Sequence, residues 1–173
     1  MNDQLIQSIY LIHLFSTLYM VGLIWFVQIV HYPLLEKVGI SEFLEYERVH
    51  VKRTTWVVSP MFFEVSTALL LTWIRPAGIP TWAAWTGLLL LLIIWLSTVL
   101  IQVPCHRRLE QGFDIEVHRK LVYSNWIRTI CWSLRGFLVI WVVLVSSSPI
   151  STTAPQTDLE SSVPSAFVWS RQP

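Results

Sequence analysis

Four runs of about twenty mostly apolar residues occupy most of this chain, at 5–30, 54–74, 82–103 and 126–145. They leave it few ways to fold. A run of that length is what a helix needs to cross the ~30 Å hydrocarbon core of a bilayer. The rest of the composition agrees. Only 13% of the 173 residues are charged, the mean hydropathy is +0.55, and a soluble surface needs far more polar groups than that. The sequence therefore predicts an all-α fold, an integral membrane four-helix bundle over residues 1–146. Residues 147–173, rich in Ser, Thr and Pro, are expected to form a disordered tail outside the membrane.

Charge placement supplies an orientation. Lys37, Arg48, Lys52 and Arg53 lie in the first connection, and Arg107, Arg108, Arg119 and Lys120 in the third. The second connection has only Arg75, the N-terminal leader no basic residue and the tail only Arg171. Basic connections stay in the cytoplasm. Both termini are thus expected outside it, in a multi-pass protein of a bacterial-type inner (plasma) membrane. The first run lacks a basic leader and a small-x-small cleavage site, so it is expected to be a span and not a removable signal. A net charge of +1 gives no reason to expect a nucleic-acid partner. Cys105 and Cys131 are too few for a disulfide framework and are expected as small buried side chains. Pro60 predicts a kink in the second span.

The first and third spans end alike. "FVQIVHYPLLEKVG" carries Gln28, His31, Pro33, Leu35, Glu36 and Gly39; "IQVPCHRRLEQG" carries Gln102, Pro104, His106, Leu109, Glu110 and Gly112. Pro104 is expected to end or bend its helix. Each exit is followed by a short amphipathic helix, lying at the interface or leading directly into the next span, one opening at Ser41 as N-cap and one at Asp114. The pattern reads as two hairpins in loose repetition.

Ionisable groups inside spans are expensive and mark function or packing. Glu64 lies eleven residues past Arg53, and Arg135 ten past Asn125. At ~1.5 Å per residue both sit ~15 Å into the bundle. A buried Glu64–Arg135 ion pair follows, with either a packing role or proton handling by Glu64. Asn125, Arg128 and Arg135 fall on one stripe, which must face protein or water. His13 lies ~27 Å from His31 along the same helix and reads as a hydrogen-bonded packing residue.

Four histidines, His31, His50, His106 and His118, fall at one membrane level and are candidate ligands for a metal ion or haem iron, although no HxxH, HExxH or CxxCH spacing occurs. A haem there would place its propionates against Arg107 or Arg128. The other use of the same groups is acid–base or hydrogen-bond chemistry on a planar apolar molecule, an aromatic or quinone-like ligand. Trp56, Trp126 and Trp132 are candidates for stacking. The candidate catalytic set is His31, His106, Asn125 and Arg128, with Glu64 and Arg135 beneath. His106 would act as base or ligand, Arg128 as anion clamp, and Asn125 as an orienting hydrogen bond.

At "VPCHRRLEQG" and "LVYSNWIRTICWSLRG" the chain resembles the small four-span membrane family that includes anthrone-oxygenase-like proteins. The shared features are a Pro near the end of span three, a following Leu, and Trp, Asn and Arg entering span four. Here they are Pro104, His106, Leu109, Asn125, Trp126 and Arg128, in the order "NWIR". The resemblance covers residues 5–145 in architecture. It implies a compact four-helix bundle and cofactor-independent oxygenation of a polycyclic phenol. Two other readings fit the same residues: a non-catalytic accessory subunit of a larger respiratory, photosynthetic or transport complex, and a small haem protein passing electrons.

Overall fold

The computed structural model describes residues 3–74 and 79–147. The expected tail and Arg75 lie outside the described residues. Every regular element among the described residues is helical: α1 (Asp3–Phe26), α2 (Tyr32–Leu35), α3 (Ile40–Val57), α4 (Pro60–Trp73), α5 (Thr81–Ser97), α6 (Val103–Leu109) and α7 (Ile115–Ser147), with π-helical turns at Val27–His31 and Thr98–Gln102. Four stretches, Gln4–Leu35, Ile40–Trp73, Thr81–Leu109 and Ile115–Val145, are long and apolar enough to cross a membrane.

The helices close into a ring. α1 packs on α4 and α7, and α5 packs on the same two helices from the other side. The bundle is inside-out by the standards of a water-soluble protein. Phe15, Phe62, Leu89, Leu100 and Phe137 point outward, while Ser16, Thr17, Gln28, Glu64, Gln102, Asn125 and Arg135 are buried. In lipid this arrangement is favourable: apolar side chains meet acyl chains, and polar groups satisfy one another inside. One apolar core forms around Met20, Ile24, Met61, Ile94 and Trp132, and a second around Tyr32, Leu35, Phe43, Leu109 and Leu121. Cys105 and Cys131 are free thiols buried within these cores, as their composition suggested. Gly136 allows close approach of α7 to α1, since a Cβ there would meet Val21 Cγ2 at 3.0 Å.

The proline positions depart from expectation in an informative way. Pro60 does more than kink its helix: α3 stops at Val57 and α4 restarts at Pro60. Pro104 neither ends its helix nor breaks it. Pro33 and Pro104 have no N–H to give to Ile29 or Leu100, the carbonyls four residues back, and a proline ring would crowd those oxygens. The backbone widens instead. The N–H of Tyr32 reaches Val27 O, and that of Val103 reaches Thr98 O, each five residues back. Both chains then continue as helix, so the two similar sequence exits become two similar π turns.

One terminal expectation is corrected. Ser41 is not the N-cap of α3; Gly39 holds that position, with no side-chain capping bond. Asp114 does cap its helix, accepting from the N–H groups of Glu116 and Val117 at 2.9 and 3.2 Å. The segment behind it leads directly into the fourth span, since α7 runs unbroken for 33 residues.

Candidate functional site

Two polar centres occupy the bundle. The deeper one is built on Glu64, which is wholly buried. Arg135 donates from Nε to Glu64 Oε1 at 2.8 Å, the ion pair that the depth argument predicted. Thr17 donates to the same oxygen at 3.0 Å, and Trp132 Nε1 donates to Oε2 at 3.0 Å. Arg135 also donates to the carbonyl of Gly87. Three spans and α5 are thus tied to one carboxylate whose oxygens are both satisfied. His13 lies alongside, its Nδ1 2.9 Å from Thr67 Oγ1. The Thr67 hydroxyl proton is already directed to Phe63 O at 2.7 Å, so His13 is the donor and serves packing.

The second centre sits where the two π turns meet α7 and α3. Each turn presents one buried glutamine. Gln28 Oε1 accepts from Asn125 Nδ2 at 2.9 Å, and its Nε2 donates to Val122 O at 3.3 Å. Gln102 Oε1 accepts from Ser97 at 3.0 Å, and its Nε2 donates to Ser124 at 3.2 Å. The glutamines therefore fasten both exits to α7 and do not face each other. The residues just beyond the turns do meet. His106 Nδ1 donates to Glu47 Oε1 at 2.6 Å, which leaves Nε2 to accept from the Tyr32 hydroxyl at 3.1 Å. Arg128 lies against that hydroxyl and over the indole of Trp132, 5.3 Å from its centroid. The indole in turn bonds Glu64, so Arg128 and Trp132 connect the two centres.

His31 stacks on His50 with centroids 4.4 Å apart, and His50 lies 5.5 Å from His106. These groups border a cavity of about 550 Å³. Its lining combines apolar Met20, Leu23, Ile24 and Val58 with polar His31, Tyr32, His50, Gln102, His106 and Arg128, and also takes in Arg53, Arg107 and Glu110. That is the volume and lining of a site for a small organic molecule.

The sequence-predicted residues thus separate. His31, His106 and Arg128 share the chamber. Asn125 is buried behind it and holds Gln28. Glu64 and Arg135 belong to the deeper centre, and neither borders the chamber. Of the four proposed metal ligands, His118 does not join the others: its Nε2 donates to the carbonyl of Tyr32 at 2.8 Å, and its ring packs near Phe113. The stacked His31 and His50 rings do not face each other across a plane, as two axial haem ligands must. Trp56 is exposed, and Trp126 packs edge-on against Trp25; only Trp132 of the three aromatic candidates reaches a chamber residue.

Sequence reasoning missed Glu47 and Tyr32. Glu47 stands among other acids and bases in "EFLEYERVHVKR", where charge alone suggests a solvated face. Helical spacing was the available clue. Phe43, Glu47, His50 and Thr54 recur at i, i+4, i+7 and i+11 on one face of α3, and Phe43 and Glu47 are buried.

Comparison of the chain with family models, curated proteins and solved structures returns no match.

Proposed function

We propose that this chain is a multi-pass membrane enzyme of oxidoreductase or oxygenase type, which takes a planar apolar molecule, aromatic or quinone-like, into the chamber between the two π turns. One observation carries the reading: the hydrogen-bonded line Glu47–His106–Tyr32, with Arg128 beside it, opens on a largely apolar cavity of about 550 Å³. A ring system would lie against Met20, Ile24 and Val58. Its phenol or carbonyl oxygen would face Tyr32, His106 and Arg128. There the Arg128 guanidinium, whose Nε has no partner, offsets negative charge developing on that oxygen, while the Tyr32 hydroxyl, its proton given to His106, can accept from a phenol. Fixed donors in a low-dielectric site need little rearrangement as charge develops.

The resemblance to anthrone-oxygenase-like proteins supports the same substrate class through Pro104, His106, Leu109 and Arg128. The basic residues of the first and third connections support placing the chamber at the cytoplasmic side of an inner membrane.

Binding of a hydroxynaphthoquinone to the purified protein, followed by tryptophan fluorescence, tests this reading. Arg128→Gln and Tyr32→Phe should each weaken binding at least about tenfold, one hydrogen bond to a charged or polar partner. Equal binding by wild type and both variants would sink it. Recovery of the chain only as a stoichiometric part of a larger complex, with no ligand binding, would favour the accessory-subunit reading.

A further inference from the structure

We infer that Glu47, His50 and His106 form a binding site for one first-row divalent transition-metal ion, such as zinc or iron(II), on the wall of the chamber. The site shares Glu47 and His106 with the proposed function, and metal binding is measured with no chamber ligand present.

The donor set comes first. A carboxylate oxygen and two imidazole nitrogens from these residues all lie within 4.8 Å of one another. Ligand atoms held ~2.0–2.2 Å from zinc sit roughly 3–4 Å apart, so side-chain adjustments of about an ångström close the set. Two histidines and one carboxylate leave coordination positions open, the arrangement used by many catalytic sites of this metal class.

The surroundings have the features that orient ligands. A metal-bound histidine ordinarily has its other ring nitrogen fixed by a hydrogen bond. Here Thr54 Oγ1 lies 3.1 Å from His50 Nδ1 and 3.5 Å from Nε2, so a bond to the nearer nitrogen would present Nε2 to the metal. Tyr32 bonds His106 Nε2 at 3.1 Å, which leaves Nδ1, the atom already directed at Glu47.

A second observation points to a missing partner. Glu47 has no exposed surface, yet its Oε2 has no hydrogen-bond partner. A buried carboxylate oxygen left bare is costly and rare, and a cation held by both carboxylate oxygens, in place of the proton now shared by Glu47 Oε1 and His106 Nδ1, would satisfy it. His31, stacked on His50, also has a buried Nε2 without a partner. It stands outside the close trio and is suited to bonding a metal-bound water.

Cobalt(II) is the probe. The full chain, purified in detergent and stripped with a chelator, should bind one equivalent of Co²⁺ in the micromolar range or tighter. Visible bands of nitrogen- and oxygen-ligated cobalt should appear and should be displaced by Zn²⁺. Glu47→Gln and His50→Gln should each weaken binding more than about 100-fold, and Thr54→Val about 10- to 100-fold, the usual effect of losing an outer partner. His13→Gln, at the far end of the bundle, should leave affinity unchanged. X-ray absorption of the loaded wild type should report two imidazoles and one carboxylate. No cobalt binding by the wild type overturns the inference, whatever the variants do. Cobalt binding that survives Glu47→Gln and His50→Gln overturns it as well.

Discussion

Replacing Arg135 by leucine should leave Glu64 as a buried carboxylate whose one cationic partner is gone, and replacing Glu64 by leucine should strand Arg135 in the same way. Breaking a buried pair from one side costs about 3–5 kcal/mol. The Glu64 change also orphans Thr17 and Trp132, whose donors meet the carboxylate at 3.0 Å each; each unmet bond adds about 1–3 kcal/mol where no new acceptor is found. If the two side chains acted independently, Glu64→Leu with Arg135→Leu would cost the sum, about 8–16 kcal/mol with the orphaned donors included. The double variant instead removes both charges together and keeps only the orphaned donors, a cost of about 2–6 kcal/mol. A coupling of at least about 3 kcal/mol is therefore expected. Reversible unfolding in mixed detergent micelles, followed by tryptophan fluorescence, measures all four proteins of the cycle. Additivity within about 0.5 kcal/mol would refute the claim that this pair is one structural unit.

Pro104→Ala restores an N–H to the turn and permits an ordinary α-helix, which removes one residue from the wide turn and rotates everything beyond it by about 100°. His106 should then leave Glu47 and Tyr32, cobalt affinity should fall at least about tenfold, and the melting temperature should drop as Cys105 and Leu109 leave their core; unchanged affinity would show that the proline does not set the turn. Gly136→Leu should destabilise the bundle by about 1–3 kcal/mol through overpacking, because Val21 stands 3.0 Å from the new Cβ. Gly22→Ala, with nothing within 4 Å, should be neutral or stabilising by up to about 1 kcal/mol, and the same unfolding assay compares the two. Gln28→Leu should cost about 1–3 kcal/mol by stranding Asn125 Nδ2; a stability equal to wild type would mean that the first π turn is not held by α7.

Much of the bundle could be read from the chain because its causes are local or one-dimensional. Apolar length gives the spans, and rise per residue gives the depth of Glu64 and Arg135, so their pairing needs no tertiary information. The burial of Asn125, Arg128 and Arg135 follows from a single helical stripe. The likeness of the two exits was equally visible, but its meaning was not. A proline after an apolar run suggests a helix end; that the backbone would widen and continue depends on α7 being placed to hold Gln28 and Gln102. Glu47 was hidden for a related reason. Its partner His106 is 59 residues away, and within α3 only the Phe43–Glu47–His50–Thr54 spacing separates the inward acid from the solvated acids beside it. His118 illustrates the opposite error, since equal depth along the membrane normal does not decide which way a ring points around its helix.

The reading stands or falls on whether the two exits enclose a molecule or only each other. Mass spectrometry of the intact protein, gently released from the membranes in which it is made, answers this directly. The account predicts about one planar apolar compound per chain, retained by the wild type and by His13→Gln and lost from Arg128→Gln. A chain that arrives empty, or that carries phospholipid equally in wild type and Arg128→Gln, would contradict it.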